Sequence, residues 1–432
     1  MGKFEDAQFP TSDKSIGDSV KDGLGVSFQW PRMSENDYHG GPYEVFKDGV
    51  SVADVQQGQL GDCYYLSALA VLQSKLTRER FVFLNSEDEW KACGAFCISF
   101  YDGGREDIVI VSDHLPLSEQ DFVFVSCEDR TEIWAAVLEK AYAKKYGSYS
   151  IIEGGFVDLA LAELTNGIPE TISLDRDTNQ AKVWAQVLAL HKEGTLLGAG
   201  SPSHPEGDRA KSSTGIVQGH AYSVLKLVAV DTFKLICVRN PWGRGEWLGD
   251  WADDSELWTP RIKNLCGQTD FHEDGVFWMD FQDFCREFDE IYICRTYTQE
   301  RNWNSVLIED KWEGDYAQGI PRADNPHAEF EKNPQFGITV HAPGPGFVVL
   351  RLKEKQNPYK ADQAAYLNLQ ANDGGLIRGQ KKSQTVCTLG PRAHPLQPIE
   401  VEFPAKLSYP YTFTAVVANM KTGEEGHGNF SI

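Results

Sequence analysis

No apolar run among the 432 residues approaches the roughly 20 needed to span a bilayer. The start of the chain is polar from Met1 to Lys14 and lacks the apolar stretch of a signal peptide. Asp6 stands where a myristoylation signal following Gly2 requires Ser or Thr. Basic residues are in deficit: 41 Lys and Arg against 63 Asp and Glu give a formal charge of −22. That balance argues against a nucleic-acid partner, whose phosphates demand a basic surface. It suits cations, or simply a well-solvated acidic exterior. The nine cysteines form no CxxC pair, so neither zinc nor a secreted disulfide framework is expected. Most read as buried free thiols in a reducing, cytoplasmic setting. Internal repeats, low-complexity tracts and EF-hand loops are lacking too.

Aromatic residues, by contrast, are plentiful: 11 Trp, 23 Phe and 16 Tyr favour packed globular domains over disorder. Residues 1–40 read as an N-terminal segment with an anchor at Phe28, Trp30 and Pro31. From there to about residue 175 the pattern is helix-rich. Leu66, Leu69 and Leu72 recur at helical spacing after Asp62, and Trp134, Val137, Leu138 and Tyr142 form one face of a helix over 132–146. Residues 176–297 hold a helix over 182–190 and then strand-like runs at 221–227, 234–239, 276–279 and 291–294. Residues 298–432 alternate apolar positions in short runs separated by turns such as 343–346, which predicts a β-sandwich. The expected fold class is α+β, a two-part core followed by an all-β domain.

Three short segments carry chemistry. In Gln57-Gly58-Gln59-Leu60-Gly61-Asp62-Cys63, a thiol enters the first turn of a helix. There the helix dipole and free N–H groups favour a thiolate, and Gln57 offers an amide for an oxyanion. In Gln218-Gly219-His220-Ala221, a histidine follows glycine into a strand. In Arg239-Asn240-Pro241-Trp242-Gly243, an amide ends a strand beside an indole. Asn240 suits the group that orients an imidazole, and Trp242 suits a shield over that bond. Each segment alone also admits a plain structural reading: a packed cysteine, a core histidine, a turn with a buried indole.

Together and in this order, the segments resemble the calpain family of papain-like cysteine proteases. Leu138-Glu139-Lys140-Ala141-Tyr142-Ala143-Lys144 and Glu273-Asp274-Gly275-Val276-Phe277-Trp278-Met279 extend the resemblance, as do Trp312-Glu313-Gly314 and Asn333-Pro334-Gln335-Phe336 in the last domain. The resemblance implies two subdomains facing across a cleft, with a protease core followed by a C2-like sandwich. It implies an endopeptidase in which Cys63 attacks, His220 serves as acid and base, Asn240 orients it, and Gln57 helps hold the oxyanion. Gly154, Gly155 and Trp242 would line the substrate. Tyr64 departs from the Trp usual after the nucleophile.

The resemblance further implies two calcium ions. The first would take Asp54, Glu132 and the carbonyls of Lys47 and Gly49. The second would take Glu246, Asp253, Asp274 and the His272 carbonyl. Here Val276 replaces the usual Glu and Val52 the Arg that pairs with it, so both ends of that link are apolar. The expected partners are protein substrates, with no EF-hand small subunit. Acidic residues of the last domain (Asp310, Glu313, Asp315, Asp324) admit membrane or calcium contact as well as plain solvation.

Overall fold

The computed structural model describes residues 2–47, 49–76, 82–296, 303–317, 319–320, 329–353, 365–379, 381–392, 396–419 and 428–432. Asp324 lies outside them. The chain divides into two compact units. One comprises Met1–Asp102 and Glu106–Tyr297, the other Gly103–Arg105 and Thr298–Ile432.

The first unit is built on the helix Cys63–Leu76. Tyr64, Tyr65, Leu66, Ala68, Leu69, Ala70 and Leu72 are all buried, so the segment is a central helix packed on every side rather than an amphipathic surface helix. Two further helices are interior for the same reason. Trp134–Tyr146 buries ten successive residues from Trp134 to Ala143, including Glu139 and Lys140. Val157–Thr165 buries Val157 to Leu164. The region expected to be helix-rich also contains a hairpin, Ala95–Asp102 with Arg105–Ser112.

The rest of this unit is a six-stranded antiparallel sheet. Its spatial order is Ile168–Ser173, Glu290–Arg295, Leu196–Gly200, Ala221–Val230, Phe233–Arg239, Val276–Asp280. The sheet thus begins at Ile168, inside the range expected for the first subdomain, because Ile168–Ser173 pairs with the distant Glu290–Arg295. The helix Gln180–Lys192, with Asn179 capping the Lys182 N–H at 3.0 Å, places Val183, Trp184 and Val187 in a core with Leu197, Val224 and Val238. Trp251, Ile262 and Trp278 form a second core cluster with Leu235 and Cys237.

In the second unit the described strands form two four-stranded antiparallel sheets. One runs Glu309–Trp312, Gly428–Ser431, Gly344–Lys353, Leu396–Phe403. The other runs Gln335–Val340, Tyr411–Asn419, Ala365–Gln370, Thr385–Arg392. Trp312, Leu350 and Leu352 from the first share a core with Leu367, Leu369, Phe413 and Val417 from the second. Among the described residues no helix is long and apolar enough to cross a membrane.

Candidate active site

Cys63 opens its helix, with the Asp62 carbonyl accepting from the N–H groups of Tyr65 and Leu66 at 2.8 and 3.2 Å. The helix lies directly on the strand Ala221–Val230. Ser67 Oγ donates to the Ala221 carbonyl at 3.1 Å, and Ser223 Oγ donates back to the Ser67 carbonyl at 2.9 Å. This reciprocal pair fixes the helix start against the strand start, where His220 precedes Ala221. The backbone of Ala221 lies against the Cys63 thiol.

His220 is 3% exposed. Its Nε2 is 2.9 Å from Asn240 Oδ1, and the same Oδ1 accepts from the Trp242 N–H at 3.0 Å. The amide nitrogen of Asn240 donates to the Gly245 carbonyl at 3.2 Å, which fixes the amide's orientation with its oxygen toward the ring. The Trp242 ring centroid is 4.8 Å from that of His220. Nε2 must therefore carry the proton that Asn240 accepts. Nδ1, buried and without a hydrogen-bond partner, is left as the basic nitrogen.

Burial dominates the electrostatics. It pushes the Cys63 thiol up to about 12, with the neighbouring Asp62 carboxyl adding to the shift and the Ala221 and Tyr64 backbone opposing it. It holds the His220 imidazole down at about 4, against the raising effects of Asn240 and Asp208. In both groups burial thus disfavours the charged form.

Gln57 lies on the loop before the helix. One of its amide hydrogens goes to the Leu60 carbonyl at 2.7 Å, within the same loop. The loop is tied to its surroundings on three sides: Gln57 N–H donates to the Pro241 carbonyl at 3.0 Å, Gln59 N–H to Val123 at 2.9 Å, and Gly154 N–H to Gly61 at 2.9 Å. Gly154 has a left-handed φ of +76°, and a Cβ on Gly155 would stand 2.6 Å from the Tyr64 ring. The Gly154-Gly155 turn is thus glycine because the chain bends back there and because the aromatic residue after Cys63 fills the adjacent space.

The residues expected to hold calcium fall into two groups. Lys47 N–H donates to Glu132 at 3.0 Å, and Ser51 N–H to Asp54 at 2.5 Å, with Gly49 on the turn between. Burial first, and then Asp54 and Asp129, push the Glu132 carboxyl up to about 7. Burial raises Asp54 as well. In the second group Glu246 accepts from the N–H groups of Asp274 and Gly275 at 3.1 and 2.9 Å. Asp274 N–H donates to the His272 carbonyl at 2.9 Å. Burial and the charges of Asp253 and Asp274 bring Glu246 to about 7, and burial and Asp274 bring Asp253 to about 6. Val276, in the place of the usual Glu, gives its N–H to Asp274 at 2.9 Å. Half-buried carboxylates that repel one another suit hard cations, so the donor sets fit calcium in kind. Even so, among the described residues no three His, Cys, Asp or Glu side chains converge closely enough to hold a metal by themselves. Backbone carbonyls would have to complete either shell.

Two features were not drawn out from the sequence. Next to Cys63 in the chain, both Asp62 oxygens are buried without a donor and face the buried carboxyl of Glu139. Two acceptors in hydrogen-bonding range need a proton between them. Arg239, fully buried, reaches from the end of its strand to the Val55 carbonyl at 2.7 Å. It stood in the motif with Asn240 and Trp242 with no role attached.

A family profile described as calpain family cysteine protease matches residues 4–295. A calpain-type cysteine protease of Oryza sativa subsp. japonica is 38% identical over 353 residues, covering 78% of this chain and 16% of its own length. Calpain-5 of Mus musculus is 32% identical over 377 residues, covering 79% of this chain and 58% of its own. The chain therefore spans only part of the curated relatives it matches. Among solved structures, a clostridial cysteine protease aligns over 90% of this chain and 85% of its own at 10% identity and a TM-score of 0.26, a likeness too slight to bear on the fold. On the profile match and the relatives, the chain belongs to the calpain family of cysteine proteases.

Proposed function

We propose that this protein is a calcium-dependent cysteine endopeptidase that makes limited cuts in intracellular proteins. The observation that carries the reading is the His220–Asn240 pair at 2.9 Å, which leaves Nδ1 free on a strand packed against the helix that Cys63 opens. The core is read as papain-like, with a helix-rich part carrying Cys63 and a strand-rich part carrying His220 and Asn240. The second unit is read as a C2-like β-sandwich.

The chemistry follows from the free nitrogen. As a peptide carbonyl meets Cys63, the thiol proton passes to His220 Nδ1 and the sulfur forms a bond to the carbonyl carbon. The Cys63 N–H and an amide hydrogen of Gln57 receive the oxyanion. Nδ1 then returns its proton to the leaving amine, which departs as the acyl-enzyme forms. Water, deprotonated by the same nitrogen, attacks the thioester and regenerates the thiol. Asn240 keeps Nε2 protonated and the ring in place throughout.

Asp54 and Glu132, with the Lys47 and Gly49 carbonyls, would hold one calcium ion. Glu246, Asp253 and Asp274, with the His272 carbonyl, would hold another. Calcium held there would supply positive charge that offsets the repulsion within each group. The partners are protein substrates in the cytoplasm.

Casein hydrolysis by wild type and Cys63→Ala, each with calcium and with chelator, tests the reading. Wild type with calcium cleaves, chelator suppresses cleavage, and Cys63→Ala loses about 10⁴-fold or more. Cleavage that survives in Cys63→Ala removes the assignment, and cleavage undiminished in chelator removes calcium from it.

A further inference from the structure

Two loops of the first unit that supply different parts of the proposed chemistry are joined by few polar contacts, and one of these is a buried guanidinium. The loop 52–60 carries Gln57. The turn 239–243 carries Asn240 and Trp242. Gln57 N–H donates to the Pro241 carbonyl at 3.0 Å, and Arg239 Nη2 donates to the Val55 carbonyl at 2.7 Å. Arg239 is itself fixed at its base. It ends the strand Phe233–Arg239, paired with Ser223 on one side and Val276 on the other, and the next residue, Asn240, gives its N–H to the Gly275 carbonyl at 2.9 Å. The position is 0% exposed, and a buried charge with a carbonyl partner holds that partner far more tightly than a solvated one does. Asp274 and Asp54 both attract the guanidinium, so its charge is balanced from both sides of the junction.

We propose that Arg239 is a positioning residue, holding the Gln57 loop against the Asn240 turn so that the oxyanion donor and the orienting amide are placed by one side chain. The inference rests on the reading of Cys63, His220 and Asn240 given above. Removing the guanidinium leaves the Val55 carbonyl without that donor and frees the loop to shift. A displacement near 1 Å costs about 100-fold in rate when it misplaces a group that acts only in the transition state.

The experiment compares wild type, Arg239→Lys and Arg239→Met in three measurements. These are kcat and KM on a peptide substrate, affinity for a peptide aldehyde against the matching non-covalent peptide amide, and hydrogen exchange at the Gln57 N–H. The aldehyde forms a hemithioacetal whose oxygen sits where the oxyanion forms, and the amide does not. Arg239→Met is expected to lose about 100-fold in kcat and in aldehyde affinity, with KM and amide affinity within about threefold. Its Gln57 N–H is expected to exchange at least about tenfold faster. Arg239→Lys, which keeps the charge but not the fork, is expected to fall between. A folded variant of either kind with wild-type exchange at Gln57 and wild-type kcat overturns the proposal. So does a loss confined to KM. If Arg239→Met does not fold, Arg239→Lys decides alone. A wild type that neither cleaves peptide nor takes the aldehyde sinks the peptidase reading instead, while exchange at Gln57 still decides whether Arg239 holds the loop.

Discussion

Asp62 occupies the position that would ordinarily cap the Cys63 helix, yet neither of its oxygens meets a backbone N–H. The carboxyl turns inward to Glu139, whose Oε1 accepts from the Val125 N–H at 3.0 Å. The buried hydroxyl of Tyr149, also without a partner, feels both charges. Burial raises both carboxyls; Asp62 raises Glu139 further, while the hydrogen bond with Glu139 opposes the rise at Asp62, so the pair holds a proton that the unfolded chain has released above about pH 4. A folded group with a raised pKa stabilises below its unfolded value, and that stability drains away as pH climbs through the folded value. Asp62→Asn supplies a permanent donor in place of the shared proton. In a Cys63→Ala background, the advantage of the variant over its parent is expected to grow by about 1.4 kcal/mol per pH unit while the folded parent still holds the proton that its unfolded chain has released, and to level off once the folded parent loses it. Thermal midpoints taken from pH 5 to 9 measure this. Parallel curves for the two proteins would mean that no shared proton exists.

At the scale of elements, Gly58 in the loop before Cys63 is constrained by backbone and not by side chains. A Cβ on Gly58 would stand 2.1 Å from the Phe124 carbonyl oxygen and 2.5 Å from that of Val123. Neither can swing aside, because the same stretch receives Gln59 N–H. Gly58→Ala is expected to cost about 2–3 kcal/mol and to lower kcat through Gln57, whereas Gly154→Ala meets open space and strains only its φ. Urea unfolding of both variants separates the two cases, and equal midpoints would contradict the close approach. Much of this level was legible in the sequence. The strands beginning at Ala221, Phe233, Val276 and Glu290, and the helices Trp134–Tyr146 and Gln180–Lys192, follow their apolar spacing closely. The hairpin Ala95–Asp102 with Arg105–Ser112 did not emerge, because its first strand buries residues on both faces and so loses the alternation that marks a half-exposed strand. The pairing of Ile168–Ser173 with Glu290–Arg295 was beyond reach, since no local pattern records a partner so distant in the chain. The same holds within the site. Cys63, His220 and Asn240 announce themselves through short motifs, while Asp62 with Glu139 and Arg239 with Val55 are meetings that only the fold creates.

The whole molecule is two units with separate cores, and the ten residues expected to hold or neighbour calcium, from Lys47 to Val276, all lie in the first. A ligand that binds only the folded form raises the stability of the part it binds. Calorimetry of the Cys63→Ala protein is therefore expected to resolve two transitions, with calcium raising one by several degrees and leaving the other in place. Replacing Asp253 and Asp274 with Asn should shrink that rise. A calcium shift shared equally by both transitions, or absent from both, would refute the placement of the ions.

The order of strands in the six-stranded sheet has a temporal meaning. Glu290–Arg295, late in the first unit, seats between Ile168–Ser173 and Leu196–Gly200, strands made more than 90 residues earlier. While the chain emerges from the ribosome, the sulfur of Cys63 is synthesised first, but the sheet that steadies His220 stays open in the middle until that strand arrives. The order of synthesis therefore makes Glu290–Arg295 the strand on which the placing of His220 waits.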